Sequence, residues 1–189
     1  MADSISNQSS RLGGAFRDEN TIMVDVWGYL LVKYELKRVL DIGCGYGYAL
    51  KWFADNGLCF VTGIEGWDNA VENNECKSSV VKHDFHTGPA PVDLPYDLAW
   101  SAEFLEHVDE QYLPNVLQTM RLARYACVTH ATPGQAGFHH VNCQSDEYWI
   151  RKFAEYGFTF QEEETKVLRR TDRWKAAWGR RSLMFFTQV

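Results

Sequence analysis

The sequence predicts an α/β fold, a mostly parallel sheet with helices between its strands, and three observations predict it. Apolar, β-branched runs of strand length alternate with stretches of helical periodicity through most of the chain. The first run, Arg38-Val-Leu-Asp-Ile42, breaks at once into glycines at 43, 45 and 47 and then opens a helix. The first three runs each close on an acid, Asp41, Glu65 and Asp84. A strand, a helix and a second strand in quick succession form a right-handed parallel crossover under the usual handedness rule.

Taken in order, residues 1–14 are polar, glycine-ended and without period, and read as a flexible tail ahead of a single domain over residues 15–189. Between Arg17 and Lys37 the apolar residues Ile22, Met23, Val26, Trp27, Leu30 and Leu31 recur at helical spacing. After the glycine turn, Tyr48–Asn56 is a helix stopped by Asn56-Gly57, and Cys59–Gly66 a second strand. Asp68–Cys76 is a short polar helix and Ser79–Phe85 a third strand. The segment His86–Pro95 carries three prolines, too many for a helix. Tyr96–Ala102 is strand four, Asp109–Ala123 a helix and Tyr125–Thr132 strand five. A helix from Ser145 to Tyr156 then stops at Gly157, and Phe158–Glu163 and Ser182–Gln188 are the last two strands.

Composition sets the class. A chain of 189 residues, 46% of them hydrophobic, is long enough for one well-buried core. The net charge of −6 argues against coating nucleic acid through an overall positive field. No apolar run reaches bilayer length, and the N-terminus lacks the regions of a secretory signal, so no membrane partner and a cytoplasmic location are expected. The five cysteines include no C-x-x-C pair and read as reduced thiols.

The segment Asp41-Ile-Gly-Cys-Gly-Tyr-Gly47 closely resembles motif I of the class I S-adenosylmethionine-dependent methyltransferases. A dinucleotide fingerprint would place its third glycine at 48, where Tyr48 stands, which disfavours a nucleotide-linked oxidoreductase. The resemblance runs through residues 38–164 and, from Ser101-Ala-Glu-Phe-Leu-Glu-His-Val108, is to the small-molecule "type 11" enzymes. It implies a Rossmann-like seven-stranded, mostly parallel sheet with helices on both faces and the last strand antiparallel. It implies S-adenosyl-L-methionine as cofactor, bound by Asp41, Gly43, Gly45 and Gly47, with Glu65 on the ribose. Gly66 and Trp67 would also contact the cofactor, with Trp67 offering a flat face to the adenine, Asp84 and Phe85 would read the adenine, and Ser101 and Ala102 would line the methionine end.

These residue types suit that cofactor. Backbone N–H groups at a helix start hold a carboxylate, and Asp41 favours an ammonium. With the methyl group already activated, alignment of the acceptor supplies much of the rate, and a base is needed only where the acceptor must lose a proton. Four histidines are candidates for that catalytic role: His107, His130, His139 and His140, all expected on the carboxyl side of the sheet. A metal site from His139, His140 and Cys143 is the poorer reading, because adjacent histidines diverge on an extended loop, and no metal is expected. Glu103 and Glu106 read as acceptor-site carboxylates or as solvated helix-start residues.

Between Thr165 and Arg181 lie seven cationic residues, with Trp174 and Trp178 at helical spacing. They form either a basic rim that draws an anionic acceptor or a solvated cover offset by Glu162-Glu163-Glu164. The expected acceptor is a small molecule. An RNA or other nucleic-acid methyltransferase and a non-catalytic cofactor-binding module are the alternatives.

Overall fold

In a computed structural model the described residues are 17–171 and 179–188. The tail 1–14 and the tryptophan pair at 174 and 178 fall outside them. Seven strands form one sheet in the order β3-β2-β1-β4-β5-β7-β6. They are β1 Arg38–Ile42, β2 Phe60–Glu65, β3 Val80–Lys82, β4 Tyr96–Ser101, β5 Ala123–Val128, β6 Phe158–Phe160 and β7 Met184–Gln188. The first five pair in parallel. β7 inserts antiparallel between β5 and β6, as the resemblance implied.

The helices are α1 Val24–Lys33, α2 Tyr48–Gly57, α3 Asp68–Glu72, α4 Leu113–Met120, α5 Asp146–Glu155, α6 Glu162–Thr171 and α7 Gly179–Ser182. Strand alternation divides the apolar residues between two cores, one on each sheet face. Val39, Leu98, Trp100 and Cys127 face α1, α2 and α6, meeting Trp27, Phe53 and Leu168. Leu40, Ile42, Ala99 and Val128 face α4 and α5, meeting Val116, Trp149 and Phe153. Each large side chain buried in this way contributes about 1.5–3 kcal/mol. Among the described residues no helix is long and apolar enough to cross a membrane.

Several elements differ from the sequence expectation. The long leading helix is shorter: Asp18 caps a single 3₁₀ turn at Glu19–Thr21, and α1 starts only at Val24. The helix expected over 109–123 begins as a 3₁₀ turn at Glu110–Tyr112 and becomes α-helical with Pro114 in its first turn, where a missing N–H costs no bond. The sixth strand stops at Phe160. Glu162 and Glu163 belong to α6, because three acids in a row favour the positive end of a helix and Lys166 reaches Glu162 at 2.9 Å one turn on. Strand three keeps only three residues, so Asp84 and Phe85 lie in the loop beyond it.

β1 pairs with both β2 and β4, so the chain direction of the connections reverses at β1 and opens a crevice beyond its carboxyl end. That crevice receives the glycine turn.

Candidate functional site

The turn after β1 folds back on β2. The Gly43 and Cys44 N–H groups both donate to the Ile64 carbonyl, at 2.9 and 3.1 Å. All three glycines have positive φ, which explains the residue choice. They differ in surroundings. A β-carbon on Gly43 would sit 2.3 Å from the Phe104 ring and one on Gly47 would sit 2.2 Å from Asn74 Oδ1, whereas one on Gly45 would meet nothing within 4 Å. Gly45 is therefore the open point of the turn. Asn74, which the sequence reading passed over, clamps the loop: its Nδ2 donates to the Gly45 carbonyl at 2.8 Å while its Oδ1 accepts from the Cys76 N–H. Its only sequence signal is a polar residue that the surrounding turns bury.

A hollow of about 390 Å³ opens at Gly45. Asp41, Gly43, Gly45, Glu65 and Ala102 line it, as do Trp27 and Trp100 from the core below. Arg17 lines it too, lying 4.9 Å over the Tyr46 ring, so a cation from the start of the chain faces the turn. Asp41 is 3% exposed, and burial, with the neighbouring Glu65 charge second, pushes its carboxyl up to about 8.

Glu65 ties the turn to the second strand. One oxygen accepts from Gly45 N–H at 2.8 Å and the other from Trp67 N–H at 2.9 Å. Burial raises its pKa, and these backbone donors work against the rise. Glu65 also borders a smaller hollow of about 40 Å³, lined by Gly66, Asp84, Phe85, Val108 and Tyr112. Asp84 accepts from the His86 N–H and ring, which holds its carboxyl below the ordinary range despite partial burial. Phe104 and His107 border both hollows, so the two are continuous in their walls.

The opposite wall comes from the turn after β4. Glu103 takes a left-handed backbone conformation, donates its N–H to Thr129 Oγ1 and accepts from that same hydroxyl at Oε1. The loop 138–143 is stapled to this turn, because Val141 and Asn142 N–H both donate to the Glu106 carbonyl. His107 Nδ1 lies 3.0 Å from the His139 carbonyl, and His140 Nδ1 lies 3.2 Å from that of Gln135. Burial holds the His107 imidazole neutral, with a pKa down at about 4. Glu103, Glu106, His107 and His140 all line the main hollow. Glu103 and Glu106 are thus wall residues and not solvated helix-start residues.

The other expected site residues lie elsewhere. Gly47 and Trp67 line neither hollow: Gly47 lies under Asn74, and Trp67 packs its ring edge-on to Tyr46. Ser101 is fully buried and its hydroxyl donates to the Ile42 carbonyl, because strand parity turns Trp100 and Ala102 toward the main hollow and Ser101 away. His139 contributes its carbonyl, not its ring. His130 is also fully buried, with its ring nitrogens on the Ala131 carbonyl and on Asp146 Oδ1 at 3.0 Å. Arg169, from the basic segment, binds the second Asp146 oxygen at 2.9 Å, so this trio fastens α5 and α6 to β5. Among the described residues of 165–181 none lines either hollow. The described part of that segment is therefore a cover and does not form the rim.

His130→Ala is accordingly expected to lower stability by about 2–3 kcal/mol, since it empties a packed site and removes one partner of Asp146. Ligand affinity should stay within about twofold. Thermal melts paired with S-adenosylhomocysteine titration check this, and weakened binding at unchanged stability would return His130 to the site.

A methyltransferase domain family model matches residues 26–171. No curated protein matches the sequence significantly. Among solved structures, the methyltransferase domain of a bacterial Hen1 is 17% identical, with 91% of this chain and all of that one covered at a TM-score of 0.64. The magnesium protoporphyrin IX methyltransferase of Synechocystis, solved with bound S-adenosylhomocysteine, is 20% identical over 88% of this chain and 82% of its own, at 0.62. A SAM-dependent methyltransferase from Archaeoglobus fulgidus is 20% identical over 92% and 96%, at 0.61. With the family model spanning most of the chain, and the glycine turn and the inserted antiparallel strand in place, the chain belongs to the class I S-adenosylmethionine-dependent methyltransferase family.

Proposed function

We propose that the protein transfers a methyl group from S-adenosyl-L-methionine to a small-molecule acceptor. The observation that carries this reading is the main hollow, where an unobstructed Gly45, a buried Asp41 and the loop-holding Glu65 meet at the carboxyl ends of β1 and β2. The residues present fit the cofactor. Gly45 leaves backbone room for a close approach, the first residues of α2 offer N–H groups to a carboxylate, and Arg17 adds a cation for the same group. Asp41, buried in the wall of the same hollow, offers a carboxylate suited to an ammonium. Glu65 keeps lone pairs for ribose hydroxyls beyond its two backbone bonds, and the smaller hollow between Asp84, Phe85 and Val108 is a narrow slot for a flat base. Bound S-adenosyl-L-methionine supplies an activated methyl group, so the protein's task is to orient the acceptor.

A small acceptor is favoured because the open space is a hollow of about 390 Å³ and the described residues of the basic segment 165–181 lie away from it. One structural neighbour is named for a small-molecule acceptor, magnesium protoporphyrin IX. A cytoplasmic enzyme fits the reduced cysteines, all five of which are free.

S-adenosylhomocysteine should raise the melting temperature and give a calorimetric binding isotherm, while NAD should do neither. The pH dependence follows from Asp41. Its ordinary value is 3.8 and its folded value about 8, so the free protein keeps a proton there that the unfolded chain has lost. Its contribution to stability is therefore present at low pH and lost as pH rises through about 8. A bound ammonium favours the ionised form, so ligand affinity should climb between about pH 6 and pH 8, with proton release on binding. Binding of NAD without S-adenosylhomocysteine would overturn the cofactor assignment. A flat affinity profile would remove Asp41 from the ammonium. Normal cofactor affinity without turnover on any acceptor class would support a binding module instead.

A further inference from the structure

We infer that Glu106, His107 and His140 form a divalent metal site in the acceptor wall of the main hollow, with Glu103 beside it. This rests on the methyltransferase reading for its chemistry and on the geometry for its existence. One ligand atom from each of the three residues falls within 4.8 Å of the others. Such a grouping on a solvated surface would mean little, but here Glu106 is fully buried and neither of its carboxylate oxygens has a hydrogen-bond partner among the described residues. A buried carboxylate without donors is costly unless it is neutralised by a proton or by a cation.

The two imidazoles favour the cation. A carbonyl can only accept, so the His139 carbonyl places the His107 proton on Nδ1, and the Gln135 carbonyl does the same for His140. Each ring then presents an unprotonated Nε2, and each is braced from behind as metal-binding histidines are. The rings meet edge to face with centroids 5.1 Å apart. A β-carbon on Gly137 would lie 2.1 Å from His140 Nε2, so the absence of a side chain there lets the ring take this position. The three ligands come from two segments that no sequence spacing links, and they are not His139, His140 and Cys143, the trio that the sequence offered as the poorer reading beside the expectation of no metal. Cys143 Sγ lies 3.7 Å from His140 Nδ1, the nitrogen that faces away from the site.

Two imidazoles with one or two carboxylates suit a borderline divalent ion such as Mn²⁺, Co²⁺ or Zn²⁺ better than Ca²⁺. Lining the same hollow as Asp41 and Gly45, the site assigns the acceptor class: an oxygen nucleophile, a hydroxyl bound to the metal and made more acidic by it. In that step the hydroxyl proton passes to Glu103 or to water. The oxygen then forms its bond to the methyl carbon as the carbon–sulfur bond breaks, and the electron pair stays on sulfur to leave S-adenosylhomocysteine.

The test is a Mn²⁺ titration of the full chain followed by electron paramagnetic resonance, with S-adenosylhomocysteine melts run on every variant. Wild type should take up Mn²⁺ at a single site. Glu106→Gln, which keeps shape and removes charge, and His140→Asn, on the more accessible loop, should each weaken it by about 10–100-fold or more, with the S-adenosylhomocysteine shift retained. Gly137→Ala should weaken it as well by displacing the ring, and Glu72→Gln, a distant exposed acid, should leave it unchanged. Wild type that takes up no Mn²⁺ while still binding S-adenosylhomocysteine would overturn the metal site and leave the methyltransferase reading standing. In that case Glu103 and Glu106 share a proton, and Glu106→Gln would raise stability. Mn²⁺ uptake equal in wild type and Glu106→Gln would also overturn it. Loss of S-adenosylhomocysteine binding by wild type would count against the cofactor reading alone.

Discussion

Gly47→Ala should lower stability by about 2–5 kcal/mol, while Gly45→Ala, two residues away in the same turn, should cost only about 1–2 kcal/mol. Both positions have positive φ, at 83° and 51°, so both alanines suffer the left-handed backbone penalty. Only the first also strikes a neighbour. Its β-carbon would fall 2.2 Å from Asn74 Oδ1, and moving Asn74 breaks its bonds to the Gly45 carbonyl and the Cys76 N–H. Function should sort the other way. The methyl group of Gly45→Ala meets no atom within 4 Å beyond its chain neighbours and stands at the hollow assigned to the cofactor, so affinity should fall at least about tenfold while most of the fold stability survives. Urea unfolding and S-adenosylhomocysteine calorimetry on the two variants make the comparison. Equal stability of the pair would mean that Asn74 does not clamp the turn. Undiminished binding by Gly45→Ala would move the cofactor away from the open glycine.

Glu65→Ala should weaken cofactor binding by about 1.5–3 kcal/mol, roughly 10–150-fold, the range for hydrogen bonds to a charged group. The structure adds a second cause to the loss of ribose contacts. Both oxygens of Glu65 hold backbone N–H groups, one on the glycine turn and one on Trp67, so the variant also frees the loop that forms the pocket. Stability should change little, because the desolvation cost of a buried carboxylate disappears with its bonds. Glu65→Gln keeps one acceptor oxygen and should fall between wild type and the alanine variant. Asp84→Ala should do less damage, since Asp84 is already committed to His86 and borders only the smaller hollow. Wild-type affinity in Glu65→Ala would place that carboxylate outside the binding site.

What the sequence determined by itself is the local part of the design. The glycines at 43, 45 and 47 need positive φ, and only glycine supplies that without cost, so the turn and the start of α2 at Tyr48 were legible from residue type alone. The same holds for Asp41 and Glu65, which sit at the ends of apolar runs whose length and β-branching mark them as strands, and for Ser145, where a helix was expected to start and whose side chain caps α5. Tertiary structure alone decided which side chains face the hollow. Strand parity sent Ser101 inward while Ala102 reached the wall, and the meeting of β5 with α5 and α6 gave His130 to Asp146. Glu106 looks like any acid at a turn until the loop 138–143 folds over it, buries both oxygens and brings His140 beside His107. Local conformation depends on neighbours a few residues away, which a sequence displays. Burial and convergence depend on segments distant in the chain closing on each other, and it is that closure which turns an ordinary acid into a candidate ligand.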